Sequence, residues 1–135
     1  MSSLIIAIIL LSIPCASMAR ADYVDAAVIS VIACEAGGET LDGQIAVASV
    51  IKTRMLDRGR SAYSIISAPK QFSCWQAGRV IRRITDREYS TARQAWIQAR
   101  PGKYNHYYAH RLFRPYWARG AKLIKVIGNH AFVKL

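Results

Sequence analysis

The sequence predicts an α+β domain that is mostly helical and ends in a small antiparallel β element. Apolar residues recur at intervals of three and four over residues 24–57 and again over residues 89–99, which is typical of helices with one buried face. From Tyr104 onward the pattern changes to short runs typical of strands, with a turn signal at Gly128-Asn129. A chain of 135 residues has room for one compact domain.

The first predicted helix carries a candidate catalytic residue near its end. Val31 and Ile32 belong to an apolar stripe, and Glu35 lies on the same face one turn later. Gly37-Gly38 follows at once, and we expect these glycines to end the helix in a left-handed conformation. Partial burial and the negative end of the helix dipole would both favour the protonated carboxyl, which can protonate a glycosidic oxygen. A glutamate that frays into solvent at the helix end is the alternative.

Two more helices are predicted before residue 70. Thr40 is expected to cap a helix that runs to about Asp57, and the breadth of its apolar face indicates a central position in the domain. A short helix follows over residues 61–68 and is stopped by Pro69. The next stretch, KQFSCW over residues 70–75, is predicted to be a loop that carries amide, aromatic, hydroxyl and thiol groups.

The second half of the chain is predicted to contain two helices and three strands. Residues 77–84 have apolar positions at helical spacing, with arginines on the other side. Thr85 and Glu88 have the spacing of a capping box, and the helix that they begin ends near residue 100. The predicted strands are residues 104–110, 122–127 and 130–135, with an ordered loop over residues 111–119 between the first two.

The net charge and the first residues of the chain indicate which partners the protein binds and in which compartment it acts. A formal net charge of +11 indicates attraction to a polyanion, which would be nucleic acid, an acidic membrane surface or an anionic wall polymer. Residues 1–19 carry no charged side chain, and we interpret residues 1–21 as a cleaved signal peptide or a weak signal anchor. Residues 22–135 then form the functional domain outside the cytoplasm, in the periplasm or the cell wall. An anchor that is retained would give a transient membrane association.

Short blocks of sequence, in order along the chain, resemble the SleB/CwlJ family of cell wall hydrolases, which includes spore-cortex-lytic enzymes and phage proteins. The blocks are ACEAGGE (33–39) with DGQIAVASV (42–50), KQFSCW (70–75), RPYWAR (114–119) and IGNHAF (127–132). The resemblance covers nearly the whole chain from residue 22 to 132. The sequence departs from the family pattern at Thr53-Arg54, where the family usually has Asn-Arg, and at Val133.

The resemblance implies a lysozyme-like fold and cleavage of peptidoglycan between N-acetylmuramic acid and N-acetylglucosamine. Glu35 matches the catalytic glutamate, which would act alone as general acid and base in a lytic transglycosylase. That activity would serve phage-mediated host lysis or bacterial wall remodelling, in a monomer that uses no cofactor, no metal and no nucleic acid. We expect eight residues in or beside the glycan groove, with Glu35 as the catalyst and the others as substrate contacts: Glu39, Gln71, Ser73, Tyr107, Tyr108, Trp117 and His130.

Three other functions remain open at this point. Glu39 would be the second carboxylate of a hydrolytic muramidase, or it would only accept hydrogen bonds at the bend. A cysteine hydrolase would use Cys34 or Cys74 with a histidine. A cationic protein without enzymatic activity would bind the wall or a membrane through its charge.

The cysteines are expected to pair in an oxidising compartment. Cys34 directly precedes the candidate acid, and the family resemblance places the loop of Cys74 at the same cleft. We therefore predict a Cys34–Cys74 disulfide. A retained leader would instead let Cys15 pair with either of them, and two free thiols are the remaining possibility.

Overall fold

The computed structural model describes the chain from residue 15 to residue 135. Its elements are four α-helices, a two-stranded hairpin, a three-stranded sheet and a short 3₁₀ turn. In chain order they are α1 (Cys15–Ala36), α2 (Leu41–Arg58), α3 (Ala62–Ser67), β1 (Trp75–Gln76), β2 (Arg79–Val80), α4 (Asp86–Gln98), β3 (His106–Ala109), the 3₁₀ turn (Tyr116–Ala118), β4 (Lys122–Ile127) and β5 (His130–Lys134). The predicted α+β class, mostly helical with a C-terminal antiparallel sheet, is confirmed.

Three of the helices begin at the residues that the sequence indicates. The side chain of Thr40 accepts a hydrogen bond from the backbone N–H of Gly43, and Ser61 caps α3 in the same way. Thr85 and Glu88 form the complete capping box at the start of α4. Ala68 adopts an extended conformation before Pro69, which ends α3 as expected because proline disfavours a helical residue before it.

The helices pack around α2, which confirms its central position. It contacts α1, α3, α4 and β3, and its residues from Ala46 to Ile51 are all buried. One apolar cluster joins the helices, and a second joins α2 to the sheet through Val47, Val50 and Phe132. The sheet and α1 therefore pack on the same helix, α2, and the end of α1 lies next to the strands.

The three-stranded sheet has the order β3–β5–β4, and both pairings are antiparallel. Its central strand β5 buries Ala131, Phe132 and Val133 against the helices. Gly128 and Asn129 make the turn between β4 and β5, with Gly128 at a φ of +54°. This leaves β3 as an edge strand of the sheet.

Two local predictions are wrong. Residues 77–84 do not form a helix, because Ala77 and Gly78 both have positive φ angles (49° and 78°) and close a tight two-residue turn between β1 and β2. At the end of α1, neither Gly37 nor Gly38 has a positive φ. Gly37 is needed for a different reason: a Cβ there would overlap the carbonyl oxygen of Ala33 and come within 2.9 Å of Glu88 Oε1.

The interpretation of residues 1–21 as a leader falls largely outside the described residues, which begin at residue 15. The helix α1 extends back to Cys15, within the segment that we interpret as the leader. Within residues 15–135, no helix is both long enough and apolar enough to cross a membrane.

Candidate active site

A cleft of about 630 Å³ opens where the end of α1, the loop after α3 and the sheet meet. Its walls come from α1, α2, residues 70–73, strand β3, residues 113–117 and the start of β5. The lining residues are Glu35, Arg54, Lys70, Gln71, Ser73, His106, Tyr107, Tyr108, Ala109, Phe113, Pro115, Trp117, His130 and Leu135. Seven of the eight predicted site residues are therefore at one cleft, and Glu39 is not among them.

Glu35 is held in the cleft by three hydrogen-bond donors. Its Oε1 accepts from the hydroxyl of Ser73 at 3.1 Å and from the backbone N–H of Cys74 at 2.8 Å. Its Oε2 accepts from the hydroxyl of Tyr107 at 3.1 Å. Glu35 is the penultimate residue of α1, as the helical pattern predicts, and its side chain is half-buried. The carboxyl is thus fixed in position and still open to a ligand in the cleft.

A disulfide between Cys34 and Cys74 ties the loop of residues 70–74 to the helix that carries Glu35. The Cα atoms of the two cysteines are 5.9 Å apart, and the bridge closes a segment of 40 residues. Because Cys34 and Glu35 are neighbours, the same bridge holds both loop donors against the carboxylate. With both sulfur atoms in this bond, neither cysteine is a free thiol nucleophile.

The end of α1 is also held by an arginine from the segment before α4. Arg82 Nη2 donates to the carbonyl oxygen of Ala33 at 2.9 Å, where a cation is favourable because the helix ends there. The same guanidinium pairs with Glu88 at 2.8 Å, and its hydrogen bonds, with those of Thr85, lower the pKa of Glu88 to about 2. This pair packs against Gly37, so a side chain at that position would displace it.

Tyr107 reaches Glu35 from the sheet side of the cleft. Its ring packs against His130 at 5.0 Å and Phe132 at 5.9 Å between ring centroids. Burial, followed by the nearby charge of Glu35, raises the pKa of Tyr107 well above its usual value. The phenol therefore stays protonated and remains a donor to Glu35.

The other aromatic residues form a wall along the edge strand. Trp117 is 42% exposed and packs against His106 and the edge of Tyr108, with centroids 5.5 and 6.0 Å away. Phe113 is still more exposed and also lines the cleft. Exposed aromatic rings of this kind are suited to packing on sugar rings.

The structure gives Glu39 a different place from the predicted one. Its carboxylate accepts from the backbone N–H of Asn129 at 3.1 and 3.3 Å, and its side chain is 8% exposed. A Cβ at Gly128 would overlap this carboxylate, and one at Gly43 would crowd its stem at 2.9 Å. Glu39 therefore connects the α1–α2 bend to the β4–β5 turn, which is the hydrogen-bonding role that the sequence left open, and it does not line the cleft.

His130 lines the cleft as predicted, but it makes no hydrogen bond there. Its Nδ1 is buried and lies 3.8 Å from Glu39 Oε1, too far for a hydrogen bond. Burial lowers its pKa, and this outweighs the attraction of Glu39 and Glu35 that would raise it. The imidazole of His130 is therefore neutral, and it packs against Tyr107. Across residues 15–135, no group of three or more His, Cys, Asp or Glu side chains is arranged to hold a metal ion.

With this geometry in place, comparison of the sequence with known proteins identifies its family. The sequence pattern of the family described as "Cell Wall Hydrolase" matches residues 38–133, well over half of the chain. The chain belongs to the cell wall hydrolase family. The resemblance inferred from the sequence blocks is thereby confirmed, and membership makes the protein an enzyme that degrades the bacterial cell wall. Glu35 lies three residues before the matched segment, so its assignment depends on the site geometry.

Solved structures show the same fold for this cell wall hydrolase. The catalytic domain of the Bacillus cereus SleB protein has a TM-score of 0.68 at 23% identity, over 84% of this chain and 91% of that one. The catalytic domain of the germination-specific lytic transglycosylase SleB from Bacillus anthracis has a TM-score of 0.67 at 24% identity, over 82% and 93% of the two chains. A search of curated proteins finds no match.

Several cleft residues of this cell wall hydrolase were missed by the sequence reasoning. They are Arg54, Lys70, Ala109, Phe113, Pro115 and Leu135. A signal existed for Arg54, because it lies at helical spacing from Val47, Val50 and Ile51 and so belongs to the buried face of α2. Thr53, which stands where the family usually has asparagine, donates to Ser49 and accepts from the N–H of Gly102 at 2.8 Å, so it fastens α2 to the segment after α4.

Proposed function

We propose that this cell wall hydrolase is a lytic transglycosylase that cleaves the glycan strand between N-acetylmuramic acid and N-acetylglucosamine, with Glu35 as its general acid and base. The observation that carries the proposal is that Glu35 is the only acidic side chain among the residues that line the cleft. Hydrolytic glycosidases ordinarily need two carboxylates that flank the scissile bond. A transglycosylase needs only one carboxylate, because the nucleophile that attacks C1 is a hydroxyl group of the substrate itself.

The hydrogen bonds of Glu35 indicate which oxygen carries the proton. Two donors, Ser73 and the N–H of Cys74, already occupy Oε1. Oε2 faces only the hydroxyl of Tyr107, which can accept a hydrogen bond as well as donate one. The protonated acid therefore bears its hydrogen on Oε2.

The reaction then proceeds without water. Glu35 gives its proton to the bridging oxygen, the bond from the muramic acid C1 to that oxygen breaks, and the N-acetylglucosamine leaves as an alcohol. The C6 hydroxyl of the muramic acid attacks C1, and its proton passes to the Glu35 carboxylate. The product has a 1,6-anhydro ring, and the acid is regenerated. General acid–base action of this kind contributes about 10²- to 10⁴-fold to the rate.

The aromatic wall and the polar loop supply places for the sugar rings. Trp117 and Tyr108 present ring faces and edges to the cleft, while Gln71 and Ser73 present an amide and a hydroxyl to acetamido groups. Tyr107 and His130 support the acid from the sheet. The similar fold of a protein described as a lytic transglycosylase adds support to this assignment.

The enzyme acts outside the cytoplasm, because that is where peptidoglycan is. Residues 1–21 serve export, as a cleaved signal peptide or a weak anchor, and residues 22–135 are the catalytic domain. The protein acts as a monomer on glycan strands, in host lysis by a phage or in wall remodelling by a bacterium. Its formal charge of +11 favours association with the anionic wall.

Mass analysis of the released fragments tests the proposal. Purified peptidoglycan digested by the enzyme should give muropeptides with 1,6-anhydromuramic ends, one water lighter than the products of a hydrolase. Predominantly reducing ends would contradict it and would require a second carboxylate, or a water activated by another group. Fragments with intact glycan bonds and cleaved stem peptides would refute glycan cleavage altogether.

A further inference from the structure

Arg54 is a buried cation that opens into the cleft without an acidic partner. It is 4% exposed, and no Asp or Glu among residues 15–135 lies within ion-pair distance of it. Burial lowers its pKa to about 10. A buried charge is costly unless it is paired, so an arginine in this position suggests that a ligand supplies the missing charge.

The guanidinium is oriented by neutral groups that leave part of it free. Its Nε donates to the carbonyl oxygen of Asn105 at 2.7 Å, and its Nη1 donates to Gln71 Oε1 at 3.1 Å. Its carbon lies 5.4 Å from the centroid of the Phe72 ring. Nη2 has no hydrogen-bond partner within residues 15–135. It is not among the buried atoms that lack a partner, so it is accessible from the cleft that Arg54 lines.

A second cation, Lys70, lines the same cleft. Lys70 is exposed, lines the cleft and also lacks an ion-pair partner in the described part of the chain. Its backbone has a φ of 59°, a left-handed conformation that is uncommon for residues other than glycine and is often found at functional sites. The burial that lowers the pKa of His106 to about 4 keeps that imidazole neutral, so it adds no charge. Against these two cations, Glu35 is the one acidic side chain among the described residues that line the cleft.

We propose that Arg54 and Lys70 form an anion subsite, next to the catalytic acid, that binds a carboxylate on the muramic acid side chain of the glycan strand. This inference rests on the proposed function, because that function puts a muramic acid in the cleft. The carboxylate has two possible sources: the stem peptide, or the lactyl group itself where no peptide is attached. A planar guanidinium with a free N–H edge is suited to hold a carboxylate, and Lys70 adds a point charge.

The test compares affinities for soluble glycan strands that differ only in carboxylates. Strands with intact stem peptides, strands with no peptides, and each of these after conversion of carboxylates to amides are titrated onto the Glu35→Gln protein, which binds without cleaving. We expect amidation to weaken binding about ten-fold or more in at least one pair, since hydrogen bonds to charged groups contribute that much. The pair that responds identifies the source. Equal affinity within both pairs would overturn the subsite.

Variants in the same background separate the subsite from general charge attraction. Arg54→Gln should abolish most of the amidation effect, and Lys70→Gln should reduce it. Arg87→Gln is the matched control, because Arg87 is exposed on α4, outside the cleft, and its loss changes the net charge by the same amount. An amidation effect that survives Arg54→Gln, or that falls equally in Arg87→Gln, would contradict the proposal.

If Arg54→Gln does not fold, Lys70→Gln still tests the anion subsite. Lys70 is exposed, and its side chain forms no hydrogen bond with the part of the chain that the structure describes, so this variant should fold normally. An amidation effect unchanged by Lys70→Gln would then overturn the subsite. The fragment masses from the parent enzyme are scored separately, so that absence of anhydro ends would refute the transglycosylase while leaving the affinity comparison interpretable.

Discussion

Glu35 and Glu39 lie on either side of the Gly37-Gly38 bend, and the fold gives them different surroundings. Glu35 is half-buried, lines the cleft and receives donors from a loop and from a tyrosine. The Glu39 side chain is almost fully buried and accepts a hydrogen bond from the backbone of the β4–β5 turn, and Gly43 and Gly128 leave room for this side chain. The difference shows that tertiary contacts give two identical side chains, four positions apart, different hydrogen-bond partners and different access to the cleft.

The largest effect is expected at Glu35. Glu35→Gln keeps the shape of the side chain and an oxygen that can accept from Ser73 and Cys74, but it cannot donate the catalytic proton. Activity should fall about 10²-fold or more, while the melting temperature stays close to that of the parent. Clearing of a peptidoglycan suspension and thermal unfolding measure the two properties. Retention of most of the activity would exclude Glu35 as the acid.

The next effect is expected at the disulfide that ties the Glu35 side of the bend to its loop. Replacing Cys34 and Cys74 together by serine should lower the free energy of unfolding by about 2–4 kcal/mol. It should also lower activity below the melting temperature, because the loop supplies two of the three donors to Glu35. Denaturant unfolding and activity assays test this.

A peptide map of the exported protein without reductant complements the cysteine variant. It should contain the Cys34–Cys74 pair, and N-terminal sequencing should show a mature start at Arg20 or Asp22. Alkylation of both thiols without reductant would contradict the bridge, and a retained Cys15 in a disulfide would favour the tethered alternative. If the variant without the bridge kept normal activity, the disulfide would not be needed to position Glu35.

On the other side of the bend, Glu39→Gln should affect stability more than chemistry. The amide oxygen can still accept from Asn129, but the charge that strengthens this bond is lost, so unfolding should become easier by about 1–2 kcal/mol. Turnover well below the melting temperature should stay within a few-fold of the parent. A loss of activity as large as that of Glu35→Gln would instead make Glu39 a second catalytic carboxylate.

Tyr107→Phe should change stability less than Glu39→Gln does, and it tests the contact that Glu35 makes with the sheet. The ring remains packed against Phe132, and only the hydroxyl that reaches Glu35 is removed. We expect activity to fall about ten-fold, with a stability change of about 1 kcal/mol. The pH profile of activity should shift as well, since the donor to Oε2 is lost. An unshifted profile with normal activity would leave Tyr107 a packing residue.

The smallest effect concerns pH and His106. Burial, followed by the positive charge of Arg54, lowers the pKa of His106 to about 4, from 6.5 in an exposed chain. The unfolded chain therefore binds a proton that the folded protein does not, and stability should fall as the pH drops from 6.5 toward 4. His106→Gln should flatten this slope in part, because His130 acts in the same direction. Melting temperatures measured between pH 7 and about 5.5 stay above the range in which Glu88 of the unfolded chain becomes protonated, since its pKa there is 4.5. An unchanged slope would contradict the assignment.

Local chemistry was sufficient to predict most of the elements. The caps at Thr40, Ser61 and Thr85 and the proline at 69 act through bonds to residues within a few positions, so they can be recognised without the fold. The exception over residues 77–84 arises because an Ala-Gly turn with two positive φ angles is hidden within an apparently helical pattern. Periodicity counts apolar residues but does not detect such a turn.

The sequence by itself determined the helical framework, the strand pattern, the position of Glu35 on the last turn of α1 and the resemblance to a cell wall hydrolase family. Only the tertiary structure decided which side chains share the cleft. The donors to Glu35 come from 38 to 72 positions away, and the Asn129 N–H that binds Glu39 is 90 positions away. Arg54 shows the same limit, because its burial, its neutral partners and its access to the cleft depend on the packing of α2 against the loop and the sheet. Contacts between distant segments are set by the packing of the whole chain, and no pattern within a short window of sequence contains them.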